Sequence, residues 1–404
     1  MNVTPQVFPL ISSRADALGE QPFIKLMPVR CEELIAATEG LKKTGVPLVS
    51  VQGDSLFPTA GYIDDVGLYY FVPKIAAFFG LSPALAWDLF FLLVVIPCFA
   101  VGLWATMRLI ESRPVKVVFA LVALALFVVV VLAGDVYAIS PSLVVLVVPF
   151  LMEFSKSESP PKPAHWIWFV LLGAAIALAH YVRSHSATAI LLFLFILLVF
   201  EKRWAQAKKL AAAGAVLIGA LSVTLFFKTR LVERDAYLAK FQPNYVAPPQ
   251  GHPFWPNVYI GFGFLDNDFG LRYRDEVAYK KVREFFPNAT RLDEEHERVL
   301  RNEIIALCLK HPLFVVRTLA AKAGVIGFYL LLFGNIGWLC ALRYGLKWQI
   351  ELAFLAGMAF NALPGFLAVP NIPYLTGSFA FAAIYGALQL DNALRRGFLK
   401  TSST

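Results

Sequence analysis

Two adjacent carboxylates, Asp64 and Asp65, stand in "GYIDDVGLYYFVPKIAAFFG" directly before an apolar run. An acid pair there can open a helix, where an N-cap or first-turn carboxylate meets free N–H groups and the positive end of the dipole. It can also serve as a general base, a carboxylate at an apolar surface that takes a proton from an incoming hydroxyl. A second group is "HYVRSHSA", in which Arg183 lies between His180 and His185. A guanidinium keeps its charge and holds phosphate through paired hydrogen bonds; its bland role is to reach for lipid headgroups. Asp135, in "GDVYAIS", either faces the same cavity or merely ends a helix. A third stretch runs from His252 through Trp255, Tyr259 and Tyr273 to Asp275, alternating rings with Gly, Asn and Asp. Rings stack on the apolar faces of a sugar while polar groups meet its hydroxyls. A compact loop packing its own aromatics has the same composition, and Asp275 also suits a helix cap.

The elements that position these residues follow from composition. The chain has 404 residues, 58% hydrophobic and 16% charged, with a mean hydropathy of +0.64. Soluble domains are about half apolar and about a quarter charged, so this is a membrane protein by composition. The four cysteines lie in separate segments and indicate neither a zinc site nor a disulfide framework. Runs long enough to span a bilayer are expected at 84–110, 115–134, 136–153, 165–182, 186–200, 207–228, 322–342, 349–369 and 372–390. The expected fold is therefore an all-α polytopic membrane protein of about nine transmembrane helices, with amphipathic interfacial helices and a large outer loop.

Basic residues collect in alternate short connections and in the tail: Arg108, Arg113 and Lys116; Lys156 and Lys162; Lys202, Arg203, Lys208 and Lys209; Arg343 and Lys347; Arg395, Arg396 and Lys400. That alternation predicts a cytoplasmic C-terminus, and it accounts for the net charge of +8 without nucleic acid. The chain then divides into an outer segment 1–83, spans within 84–228, an outer loop 229–318, spans within 319–390 and a cytoplasmic tail 391–404. With the N-terminus outside and no apolar segment before it, a further transmembrane helix is expected upstream. The stripe Leu68, Phe71, Val72, Ile75, Phe78 and Phe79 predicts a helix lying in the outer interface. "RCEELIAATEGLKK" reads as a short surface helix, and "RLDEEHERVLRNEIIALCLKHP" as an amphipathic helix stopped by Pro312, with Glu294, Glu295 and Glu297 on a solvated face. The fifth span covers only about 21 Å of a ~30 Å hydrocarbon core, which places the Arg183 turn below the outer surface.

Taken together, "GYIDDVGLYYFVP" before an amphipathic helix, the short-looped spans, the aromatic outer loop and the helix ending "NEIIALCLKHP" resemble the GT-C superfamily of polytopic glycosyltransferases. The resemblance implies a polyprenyl-phosphate-linked sugar donor, a glycan, lipid or protein acceptor, and Asp64 or Asp65 as the base. The departing phosphate would be met by Arg183, helped by His185 or Lys322, and direct displacement would invert the anomeric centre. His252, Trp255, Tyr259 and Asp275 would contact substrate. Basic side chains can neutralise a monophosphate donor, so a divalent cation is optional; Asp135 is its candidate ligand. The site would lie on the outer face of a bacterial inner membrane. A lipid or solute transporter is the alternative from another class, with Asn361 as its mid-depth polar residue. An outer-face glycan polymerase or ligase shares nearly all the features of the enzyme.

Overall fold

The computed structural model of the protein describes residues 21–59, 65–156, 163–200, 204–242, 245–247, 254–289 and 294–401. It is 80% helical. Among the described residues, seven helices are long and apolar enough to cross a membrane: Pro83–Leu109, Arg113–Ala133, Val136–Ser155, His165–Val182, Gln206–Phe241, Pro312–Gly334 and Trp348–Leu367. The protein is thus built as a multi-pass helical bundle. Two of the nine expected spans fall outside this group. Thr188–Phe200 has 13 residues, about 20 Å of helix. Ile372–Thr401 is long but carries buried polar groups, including Thr376, Ser378, Gln389 and Asp391.

In chain order, α1 (Pro28–Thr44) precedes an antiparallel hairpin of β1 (Val49–Gln52) and β2 (Ser55–Pro58), in register Val49↔Pro58. Then come α2 (Val66–Phe79), α3 (Pro83–Leu109), α4 (Arg113–Ala133), α5 (Ile139–Lys156), α6 (Pro163–Val182), α7 (Thr188–Phe200) and α8 (Gln206–Phe241). The long loop after α8 contributes α9 (Trp255–Gly261), α10 (Asp275–Arg283) and α11 (Glu294–Lys310), followed by α12 (Pro312–Gly334), α13 (Gly337–Tyr344), α14 (Trp348–Leu367) and α15 (Ile372–Thr401). The starts are chemically marked. Pro83 and Pro312 stand in first turns, where a missing N–H costs nothing, and the Ser82 hydroxyl accepts from Leu85 N–H. Helix α15 is the central post of the bundle, packed against α4, α5, α12, α13 and α14.

The structure corrects several sequence expectations. Helix α2 is covered on more than one side: Val66, Leu68, Tyr69, Tyr70, Val72 and Ala76 are buried, and it packs against α1, α3 and α6. Its apolar residues are too many for one stripe, and neighbouring helices take them on several sides. Phe78 and Phe79, at its end, stay exposed, as do Lys74 and Ala77. Helix α8 runs through position 228 to Phe241, because "KTRLVERDAYLAKF" contains no breaker and adds an Arg230–Glu233 pair one turn apart. The span expected at 322–342 starts at Pro312 and breaks after Gly334, where Asn335 adopts φ 45°. The short hairpin was not expected. It is held against α8 by the buried Arg234, which donates to the Thr59 carbonyl, and by Gln242, which donates to that of Leu56. This long loop has a small core of its own, built from Val258, Tyr259, Ile260, Phe262, Val282 and Leu300.

Candidate functional site

A strap, residues 23–27, lies across the ends of α3 and α4 and aims the first turn of α1. The N–H groups of Phe23 and Ile24 donate to the Asp88 carboxylate at 2.9 and 2.8 Å. The Trp87 indole donates to the Ile24 carbonyl at 3.0 Å, and Asp135 N–H donates to that of Lys25 at 2.7 Å. Pro28 then starts α1, so Arg30 projects from its first turn into the bundle mouth.

Arg30 meets two carboxylates there. Its Nε donates to Asp65 Oδ2 at 2.6 Å, and its Nη1 to Asp135 Oδ2 at 2.8 Å. Arg183 Nη1 reaches the other oxygen of Asp65 at 3.3 Å, while Nη2 donates to the Tyr137 hydroxyl at 3.2 Å. The Tyr137 ring packs against both cations, 4.8 Å from the Arg183 guanidinium and 5.5 Å from that of Arg30. Two guanidinium groups and two carboxylates therefore share one neutral cluster. Asp65 and Asp135 are only 4% and 5% exposed.

Backbone geometry supports this convergence. Close contact of α2 with α6 brings Asp65 to Arg183: a Cβ on Gly67 would lie 3.0 Å from Val182, so glycine admits the approach. Among the described residues five non-glycine positions have positive φ, and Asp65, Asp135 and His185 are three of them. Such conformations are uncommon and persist where the surroundings over-determine them, which is frequent at functional sites. The Arg183 turn is closed by Ser186, whose hydroxyl donates to the Ala179 carbonyl at the end of α6.

The charges reinforce one another. Burial opposes the Arg30 cation, but Asp65 and Asp135 more than offset it and raise the guanidinium further, so it stays charged. Burial pushes the Asp135 carboxyl up, against the opposing pull of Arg30 and of the Val136 N–H.

Of the residues singled out from sequence, Asp65, Asp135 and Arg183 come together. Asp65 stands at the N-cap position of α2, yet its side chain makes no capping bond and turns to the two arginines. Asp135 does both jobs: Oδ1 accepts from Val136 N–H at 2.8 Å while Oδ2 holds Arg30. His185 lies on the exposed side of the turn, its N–H donating to His180 Nδ1 at 3.1 Å. Asp64 and His252 lie outside the described residues.

Lys322 has a different place from the one expected. It is 1% exposed, and its ammonium donates to the Leu367 and Ala368 carbonyls at 3.2 and 2.7 Å, closing the C-terminus of α14 at the negative end of its dipole. The loop residues take several different places. Tyr259 is 8% exposed inside the loop's own core, its phenol pushed up to about 12 by burial and then by Glu303 and Glu284. Trp255 starts α9, where its N–H and that of Phe254 donate to the Glu297 carboxylate. Glu297 is thus a cap rather than part of a solvated face. Asp275 is exposed in the first turn of α10.

The loop reaches the site through Tyr273. Its hydroxyl lies 3.3 Å from that of Tyr374 at the start of α15, and the Tyr374 ring meets Tyr137 edge-on at 4.9 Å. Sequence reasoning missed Arg30, Tyr137 and Tyr374 as site residues. Tyr137 had one signal, standing two places after Asp135; Arg30 had none.

Asp135 was the candidate ligand for a divalent cation. As arranged, the cluster does not suit one: the Asp65 and Asp135 oxygens engage guanidinium and backbone donors, and two fixed positive charges stand beside them. Among the described residues no group of three or more His, Cys, Asp or Glu side chains gathers for a metal. Comparison with family models, curated proteins and solved structures returns no match to this chain.

Proposed function

We propose that this protein is a membrane glycosyltransferase of the GT-C type, moving a sugar from a polyprenyl-phosphate donor to an acceptor hydroxyl on the outer face of the membrane. One observation carries the reading: a buried carboxylate, Asp65, shared between two guanidinium groups at the mouth of a helical bundle. That arrangement pairs an acceptor of protons with a ready-made site for phosphate.

In the proposed reaction the donor phosphate takes Arg183 from Asp65, which frees Oδ1. Asp65 then accepts the proton of the acceptor hydroxyl as that oxygen attacks the anomeric carbon. The carbon–oxygen bond to phosphate breaks, and its electron pair stays on the phosphate oxygen. Arg183 meets the charge that develops there, in a water-poor setting where pre-aimed charge counts most. Attack and departure on opposite faces invert the anomeric centre. By the positive-inside pattern, this site faces the periplasm of a bacterial inner membrane and the C-terminus faces the cytoplasm.

The carrier alternative has one observation in its favour. Asn361 is buried inside α14, where its carbonyl oxygen accepts from Ser140 while its amide nitrogen finds no partner. Proteoliposomes given labelled polyprenyl-phosphate sugars separate the two readings. Transfer to a hydroxyl acceptor is expected for wild type. A fall of roughly 10²–10³-fold is expected in Arg183→Ala, from the lost charge stabilisation. For Asp65→Asn it is roughly 10²–10⁴-fold, from the lost base. Wild-type turnover in both variants would overturn the site, and sugar crossing the bilayer without transfer would favour the carrier.

A further inference from the structure

Three tyrosines from three elements form a continuous row that begins at the charge cluster. Tyr137, just after Asp135, accepts a hydrogen bond from Arg183 and presents its ring to both guanidinium groups. Tyr374, in the first turn of α15, sets its ring against Tyr137 at 4.9 Å. Tyr273, from the outer loop just before α10, brings its hydroxyl within 3.3 Å of the Tyr374 hydroxyl. None of the three is fully buried: each keeps part of its surface open, unlike Tyr259 in the loop core.

The packing of the loop fixes this row. Gly261, at the end of α9, lets the loop touch the end of α14, where a Cβ would lie 2.2 Å from the Leu367 carbonyl oxygen. Lys322 ties α12 to the same carbonyl. With the loop seated there, Tyr273 meets the tyrosine row. Burial raises the Tyr273 phenol, so it remains a protonated hydroxyl that can donate as well as accept.

Resting on the glycosyltransferase reading above, we propose that Tyr273 and Tyr374 bind the donor's sugar ring, with Tyr137 linking that subsite to the phosphate held by Arg183. A sugar bonded directly to a phosphate must lie within one ring of it, and the row starts where the phosphate would sit. The hydroxyls of Tyr273 and Tyr374 supply the donor and acceptor groups that sugar hydroxyls need, while their ring faces cover the sugar's apolar side. Substrate recognition thus falls to these two tyrosines, and Trp255 and Tyr259 build the loop that carries one of them.

The test is a binding comparison with full-length protein in lipid nanodiscs. The probes are a polyprenyl phosphate without sugar and a panel of polyprenyl-phosphate monosaccharides; the variants are Tyr273→Phe, Tyr374→Phe and Tyr374→Ala. The expected result is tighter binding of at least one sugar-bearing lipid by wild type. The phenylalanine variants should weaken that lipid roughly 3–10-fold, a lost hydrogen bond expressed as a dissociation constant. Tyr374→Ala should weaken it further, and the sugar-free lipid should bind all forms alike. Equal loss for both lipids would mean that the tyrosines only hold the fold. A sugar-bearing lipid bound as tightly by all variants as by wild type would overturn the subsite and leave the glycosyltransferase reading standing. Wild type that binds neither lipid would sink both.

Discussion

Carboxylates are withdrawn from water at both ends of the helical bundle, but guanidinium groups dominate the partners at one end and backbone and neutral side-chain donors at the other. At one end Asp65 and Asp135 share Arg30 and Arg183, long side chains from α1 and the turn after α6. At the other end, roughly 25 Å further along α15, Glu351 accepts from Leu346 N–H, the Tyr385 hydroxyl and the Gln389 amide. Nearby, Asp391 accepts from the N–H groups of Glu111 and Ser112 at 3.1 and 2.8 Å, with Arg395 on its other oxygen. Backbone N–H groups cannot leave a carboxylate unless the turn that holds them opens. Glu351 and Asp391 therefore staple the connections before α14 and between α3 and α4. A guanidinium can leave one anion for another by rotating its side chain, and two of the acid-end residues, Asp65 and Asp135, also sit in strained backbone conformations. The same chemical group makes a staple in one place and an exchangeable pair in the other.

The largest expected effect breaks the exchangeable end. Arg30→Met leaves Asp135 with only its backbone donor and Asp65 with Arg183 alone, and removing one partner of a buried ion pair costs about 3–5 kcal/mol. Unfolding of the protein in detergent, followed by heat or denaturant, should show the loss. Adding Asp135→Asn should return part of it, because one orphaned charge is gone. Stability unchanged in Arg30→Met would show that the arginine is not what holds the cluster.

Glu351→Ala should cost less, about 1–3 kcal/mol, by stranding donors that it now satisfies. Its value lies in contrast: stability should fall while the proposed lipid-phosphate binding at the far end keeps its wild-type affinity. A parallel loss of binding would erase the distinction between staple and site.

The smallest effect is a slope. Burial holds Asp135 above its ordinary value of 3.8, so between that value and its folded one the folded state binds more protons than the unfolded state. Its contribution to stability should then decline as pH rises through that window. Asp135→Asn cannot titrate, so its stability curve from that value up to neutrality should be flatter than the wild-type curve. Identical slopes would remove Asp135 from the titrating groups of the cluster.

Much of the architecture was legible because its cause is local. A run of apolar residues must be helical in a membrane, since every backbone N–H and C=O has to find a partner within its own segment. Prolines and Ser82 mark the helix starts. What was misread depended on neighbours. The α2 stripe looks one-sided until α1, α3 and α6 cover further faces of the helix. Lys322 looks like a phosphate ligand until the end of α14 is brought to it. Glu297 looks solvated until α9 begins above it.

By itself, the sequence determined a polytopic helical protein, with acids before α2 and a cation in the turn after α6. Only the tertiary structure decided that Arg30 stands between Asp65 and Asp135, and that Tyr273, Tyr374 and Tyr137 form one row. Those contacts join residues far apart along the chain, and which long-range pairs meet is set by how whole helices pack. No spacing within a short stretch records that choice.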